Sequence, residues 1–218
     1  MLSAKFFKSL LLLFCLVIPA REVLSLSAFI GLFSEGDLSG WEEETFSGNT
    51  LYQLVQDQHG QSLMASTSGS ASGLFREINI DLTQTPYLNW SWKIENIYNG
   101  NDEQSKAGDD YPVRIFVVVS GGLFFWNTKA LNYAWSSNQA EQTQWESAVT
   151  RNVMMLAIRS GDEEAGEWLK EKRNIREDFQ KLFGVDVTSI DAIAIMSDSD
   201  NTGQSAVAYY GDIFFSDN

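Results

Sequence analysis

The segment Tyr87-Leu-Asn-Trp-Ser-Trp-Lys-Ile94 alternates without a fault, sending Leu88, Trp90, Trp92 and Ile94 to one side of an extended chain and Asn89, Ser91 and Lys93 to the other. A strand with one apolar face is stable only when that face is buried against a second layer. Strand-like segments recur at 27–33, 51–56, 62–67, 73–81, 87–97, 112–120, 130–136, 153–159, 192–197 and 206–215. With turn residues between them, these ten read as an all-β fold, an antiparallel sandwich of the jelly-roll kind. Residues 113–119 are apolar on both faces apart from Arg114, which marks a central strand. One short helix is expected. Asn174 caps it, Glu177 completes a capping box, Ile175, Phe179, Leu182 and Phe183 share a face, and Gly184 ends it. The charged stretch 161–173 reads as an exposed excursion into that helix, and its Trp168 either plugs the margin of the core or waits for a ligand.

The N-terminus carries Lys5 and Lys8 ahead of an apolar run at 10–18, followed by Pro19 and Ala20. That is the layout of a cleaved signal peptide, so residues 1–25 are expected to be removed, leaving one domain over 26–218 that is exported to the periplasm or beyond. The run is well short of the roughly 20 apolar residues that span a bilayer, and no later segment approaches that length. Cys15, the single cysteine, lies inside the run, so the mature chain has no disulfide. His59 is the single histidine, which excludes zinc sites built on several histidines. A formal net charge of −14 repels phosphate backbones and argues against nucleic acid as a partner. No nucleophile elbow, phosphate-binding loop or His-Glu-x-x-His helix is present, while pairs of carboxylates suited to glycoside cleavage stay open.

Three polar groups interrupt the apolar pattern. In 206–215, strict alternation sets Asp212 on the face of Tyr210 and Phe214, where a carboxylate needs a partner. Ser197-Asp-Ser-Asp-Asn-Thr-Gly203 opens like a calcium loop, but counting from Asp198 the twelfth position is Tyr209, where an EF-hand needs Glu. It reads as an Asx-rich turn, or as a polar binding loop contributing Asp198, Asp200 and Asn201. Gly108-Asp-Asp-Tyr-Pro-Val-Arg114 sets Asp109 and Asp110 beside Arg114, either as an internal ion pair or as a site for sugar hydroxyls or a carboxylate. Trp135, ending a strand beside the polar run 136–144, is the preferred aromatic platform for such a ligand.

The ordered blocks Leu51-Tyr-Gln-Leu-Val55, Ala71-Ser-Gly-Leu-Phe-Arg76, Leu88-Asn-Trp-Ser-Trp-Lys-Ile94, Gly108-Asp-Asp-Tyr111 with Arg114, Asn132-Tyr-Ala-Trp-Ser136 and Met196-Ser-Asp-Ser-Asp-Asn-Thr-Gly203 resemble a bacterial exported family of unknown function across nearly the whole mature chain. That resemblance implies no reaction, substrate or catalytic residue. In overall shape the chain is similar to carbohydrate-binding and lectin-type sandwiches. Many of these clamp a structural Ca²⁺ between their first and last strands, which would make Glu35, Asp37 and Asp212 its ligands; otherwise Asp212 accepts backbone N–H groups or pairs with an Arg. The reading that follows is an exported, non-catalytic sandwich that binds a glycan or other small polar ligand. The alternatives are an envelope polysaccharide hydrolase or lyase of jelly-roll type, and a structural envelope protein that binds another protein.

Overall fold

A computed structural model describes residues 26–123 and 125–218; the expected signal peptide lies outside the described residues. Fourteen strands run in chain order as β1 (Ser27–Gly31), β2 (Glu42–Ser47), β3 (Leu51–Asp57), β4 (Gly60–Ser68), β5 (Ala71–Asp81), β6 (Tyr87–Ile94), β7 (Arg114–Val119), β8 (Lys129–Ser136), β9 (Gln144–Glu146), β10 (Val153–Ser160), β11 (Leu169–Asn174), β12 (Ser189–Asp198), β13 (Ser205–Tyr210) and β14 (Ile213–Ser216). Helix α1 (Ile175–Phe183) lies between β11 and β12. Among the described residues no helix is long and apolar enough to cross a membrane.

The strands form two seven-stranded sheets. In the first, β6 lies between edge strand β11 and an interrupted strand made of β13 and β14 in line; β4 and β3 continue the sheet beside β13, and β1 beside β14. The second runs β2-β5-β12-β7-β8-β10-β9. Its pairs are antiparallel, as expected, except β8 with β10, which run parallel. The chain leaves β8, lays down β9 on the outside, and returns through β10 into the gap between them.

The alternation of β6 is realised in full: Leu88, Trp90, Trp92 and Ile94 are buried while the residues between them are only partly so. They meet the inward side chains of the second sheet, Trp90 stacking on Tyr133 at 5.4 Å and Trp92 tilting against Trp135 at 6.1 Å. At about 25 cal/mol for each Å² of apolar surface removed from water, such large rings supply a leading share of the stabilisation. Helix α1 starts where expected, the Asn174 side chain accepting from the Glu177 N–H and donating to the Glu177 carboxylate at 2.8 Å. Gly184 takes the left-handed conformation that closes it. Ile175 and Phe179 enter the core, and the buried Asp178 carboxylate accepts from the Tyr133 hydroxyl at 2.7 Å and from Arg173.

Three strands were not expected. Glu42–Ser47 is exposed at every residue and pairs only with β5, the short Gln144–Glu146 pairs only with β10, and Leu169–Asn174 forms the edge beside β6 rather than an open excursion. The expected strand 206–215 is broken at Gly211 and Asp212 into β13 and β14. Tyr210 points inward before the break, whereas Ile213 and Phe215 point inward after it, so the side-chain parity slips by one.

Candidate functional site

That parity slip decides the fate of Asp212. It emerges with Phe214 on the outer side of the first sheet instead of sharing the interior with Tyr210. The carboxylate accepts from the Ser34 backbone N–H at 2.8 Å and from the Ser34 hydroxyl at 2.6 Å. The expected first-and-last-strand calcium set is therefore corrected. Asp37 turns to the N–H of Ser39, and Glu35, Asp37 and Asp212 do not form a carboxylate cluster. Asp212 meets its need for a partner with a neighbouring serine, the backbone-accepting alternative.

The acids that do converge sit on the outer face of the second sheet, at its end. Inward Ile115 and Val117 put Arg114 on the opposite face of β7, and on β12 inward Ile193 and Ile195 leave Met196 and Asp198 on that same outer face. Residues 95–113 fold over this corner and are pinned to it. Tyr98 donates its hydroxyl to the Asp198 carbonyl at 2.8 Å, and the buried Glu103 carboxylate accepts from the Ser136 hydroxyl and from the Ser137 N–H at 2.6 Å.

Within this corner each acid has a distinct setting. Asp110 accepts from the Asn201 N–H, from the Asn201 amide at 3.1 Å and from the Thr202 N–H at 2.6 Å, so it holds the β12–β13 turn in shape. Asp198 accepts from the Tyr111 N–H and, at 2.5 Å, from Arg114. Asp109 is 8% exposed and one of its carboxylate oxygens is buried with no hydrogen-bond partner. Asp200 is exposed at the rim. Carboxylate oxygens of Asp110, Asp198 and Asp200 lie within 4.8 Å of one another, an arrangement that could hold a metal ion.

Charge does not balance here. Glu103, Asp109, Asp110 and Asp198 are buried against one buried guanidinium, that of Arg114. Burial pushes the Asp198 carboxyl up to about 8 despite its ion pair, with Arg114 opposing the rise and Asp110 and Asp109 adding to it. Burial likewise raises Asp109, opposed by Arg114, and raises Glu103, opposed by its serine hydrogen bonds. Arg114 stays above its usual range because Asp198 and Asp109 outweigh the burial that works against its charge.

Of the expected ligand residues, Asp109, Asp110, Arg114, Asp198, Asp200 and Asn201 are thus gathered into one corner, with Arg114 committed to the internal ion pair. Trp135 is not part of it. It is fully buried among the inward rings, its indole N–H donating to the Gly161 carbonyl at 2.9 Å. β8 is covered on both faces, since Ala134 packs outward into a second cluster with Tyr111, Trp145, Met155 and Ala157, and a strand so enclosed cannot present a platform.

The feature that sequence reasoning left without a place is a groove of about 600 Å³ across the outer face of the first sheet. Its floor is the interruption between β13 and β14. Gly211, whose N–H donates to the Ser91 carbonyl, leaves there the space a side chain would fill, and a Cβ would meet the Ser91 hydroxyl and come within 3.5 Å of the Trp168 ring. Asn89 and Ser91 rise from β6, Lys170 and Lys172 from β11, His59 and Gln61 come from the β3–β4 turn region, and Phe214 and Trp168 add rings. The aromatic strip continues beyond the groove: Tyr209 lies 6.3 Å from Trp168, and Phe29 lies 5.5 Å from Phe214. The available signals were the outward polar set of β6 and Trp168 alone in a charged stretch; the break that hollows the floor has no signature beyond Gly211.

A sequence family described as "Protein of unknown function (DUF3047)" matches residues 39–214. No curated protein matches the chain. Among solved structures, the enzymatically active domain of tailspike protein 4 of bacteriophage CBA120 is 11% identical with a TM-score of 0.42, covering 83% of this chain, which spans only 20% of the tailspike chain. The carbohydrate-binding module TmCBM61, solved with β-1,4-galactotriose, is 13% identical with a TM-score of 0.40 over 84% of this chain and 92% of its own. The lectin from Bauhinia forficata, solved with GalNAc, is 12% identical with a TM-score of 0.43 over 89% of this chain and 100% of its own. The likeness is one of general architecture.

Proposed function

The chain belongs to the DUF3047 family, whose description assigns no activity, and from its own geometry we propose that it is an exported, non-catalytic β-sandwich that binds a glycan in the groove on the outer face of its first sheet. The observation that carries this reading is the pairing, in one hollow of about 600 Å³, of the Trp168 indole with the polar side chains of Asn89, Ser91, Gln61 and Lys170. A pyranose presents an apolar face of C–H groups and a rim of hydroxyls. A ring wall beside amide, hydroxyl and ammonium groups meets both, and the volume lies in the roughly 300–1,000 Å³ range of small-ligand sites.

The carboxylates around the groove favour binding over cleavage. Asp212 is held by Ser34, Glu171 by Arg159 at 2.7 Å and by the Trp92 indole N–H, and Asp57 by the His59 N–H, which keeps it below the usual carboxylate range. A glycosidase needs one acid held above that range as proton donor. Export rests on the lysine-flanked apolar run at 10–18.

The test is affinity electrophoresis through a panel of soluble polysaccharides, with a glycan array in parallel, on the wild type and on Trp168→Ala. Retention by at least one glycan that is lost in Trp168→Ala supports the reading. Retention by none, or retention that Trp168→Ala leaves intact, overturns it.

A further inference from the structure

The carboxylate corner on the second sheet lies on the other layer from the groove and plays no part in the glycan reading. We propose that it is a calcium site, formed by Asp110, Asp198 and Asp200, which fastens the segment before β7 to the turn after β12.

The first argument is reach. Calcium binds oxygens at about 2.3–2.6 Å, so two ligands of one ion stand no more than roughly 5 Å apart. The oxygens of Asp110, Asp198 and Asp200 all fall within 4.8 Å of one another, so one ion can touch all three.

The second argument is independent of the cluster's composition. Asp109 is 8% exposed, and its buried Oδ1 has no partner in a protein interior where such atoms are nearly always paired. Its carboxylate lies within electrostatic reach of Arg114, Asp110 and Asp200 and beside the Tyr111 side chain. The Oδ1 of Asn101 is likewise buried without a partner, while the amide nitrogen of that side chain donates to the carbonyls of Gly108 and Asp110. Two unsatisfied hard oxygens therefore accompany a carboxylate triad whose hydrogen bonds leave lone pairs open.

Charge supplies the third argument. Arg114 neutralises one carboxylate of the buried set, and a divalent ion removes most of the remainder, which protonation would otherwise have to do. The donors are all oxygen, with no imidazole or thiolate, which selects calcium over zinc or copper. Asp198 ends β12 while Asp110 and Asp200 lie on irregular chain, able to adopt the looser coordination that calcium accepts and magnesium does not.

The experiment uses the chelator-treated full-length protein and Tb³⁺ as probe, with Tyr98 and Tyr111 beside the site as sensitisers, followed by displacement with Ca²⁺ and calorimetric titration with Ca²⁺ itself. The expected result is one saturable Tb³⁺ signal, displaced by Ca²⁺ at or below roughly 1 mM, with a Ca²⁺-dependent rise in melting temperature. Asp200→Asn changes an exposed side chain, so the fold, checked by circular dichroism, is retained; it should weaken Ca²⁺ binding by at least about tenfold. Asp37→Asn, in the other acidic segment, should bind as the wild type does. Absence of a saturable signal and of binding heat overturns the site. So does Asp200→Asn binding with wild-type affinity, or Asp37→Asn abolishing binding.

Discussion

Replacing Arg114 with Met removes the sole buried cation of the carboxylate corner and keeps most of the side-chain volume. The structure sets the size of the effect. Arg114 is 6% exposed and contacts Asp198 at 2.5 Å, and its removal leaves Asp198, Asp109, Asp110 and Glu103 buried with no opposing buried charge. Breaking a buried pair from one side costs about 3–5 kcal/mol, against roughly 5–15 kcal/mol for the whole fold. With a urea m-value near 3 kcal/mol/M, the unfolding midpoint should fall by about 1–2 M in the presence of chelator. The double variant Arg114→Met/Asp198→Asn is the control. Asn still accepts from the Tyr111 N–H but carries no charge, so the double variant should recover at least about 2 kcal/mol of the loss, because removing both ions costs less than removing one. Equilibrium urea unfolding followed by tryptophan fluorescence reads all three proteins. A loss below about 1 kcal/mol in Arg114→Met, or strict additivity in the double variant, refutes the claim that this guanidinium is holding an excess of buried carboxylate.

The two tryptophans singled out by sequence should behave in opposite ways: Trp135→Ala should cost about 3–5 kcal/mol in urea unfolding, whereas Trp168→Ala should cost much less while abolishing glycan retention. Gly108→Ala places a Cβ 2.5 Å from the Asp102 carbonyl oxygen and 2.6 Å from its nitrogen, both backbone, so it should cost about 1–3 kcal/mol; unchanged stability would show that the loop before Asp109 and Asp110 is not fixed as described. Asn174→Ala should lower stability by about 1 kcal/mol through loss of the α1 cap, measured by thermal and urea unfolding. Gly211→Ala clashes with the Ser91 hydroxyl, the end of a short side chain that can rotate, and makes ordinary contact with the Trp168 ring, so glycan affinity should fall with little change in the unfolding midpoint.

What was legible in the sequence was whatever an apolar period can carry. β6 and α1 were readable nearly to the residue because Leu88, Trp90, Trp92 and Ile94 repeat every second position, and because Asn174, Glu177 and Gly184 carry the chemistry of helix ends. β2 was not, since its six residues are exposed at a sheet edge and nothing selects an apolar face. β11 hid for a subtler reason. Lys170 and Lys172 point out, and their inward neighbours Glu171 and Arg173 are satisfied by ion pairs with Arg159 and Asp178 rather than by apolar contact, so a strict alternation exists in which nearly every position is charged. A hydrophobic period cannot see it.

The corner of acids was legible in its members but not in its assembly, and one register explains both facts. β7 and β12 are antiparallel with Arg114 opposite Met196. Just past the end of β7 the Asp198 N–H donates to the Tyr111 carbonyl, and beyond it the Asn201 and Thr202 N–H groups donate to the Asp110 carboxylate, so two acidic motifs far apart in the chain meet beside one pair of strands. The same register sets Asp198 two residues beyond Met196 on the face of Arg114, the diagonal position that a long guanidinium side chain reaches. The motif residues thus follow from a single piece of topology, the pairing of β7 with β12, which composition and periodicity do not encode because two apolar strands of this kind could pair with many partners. Once that pairing exists, Arg114 and Asp198 cannot avoid each other, and Asp109, Asp110 and Asp200 are carried with them into a space where one positive charge is too few.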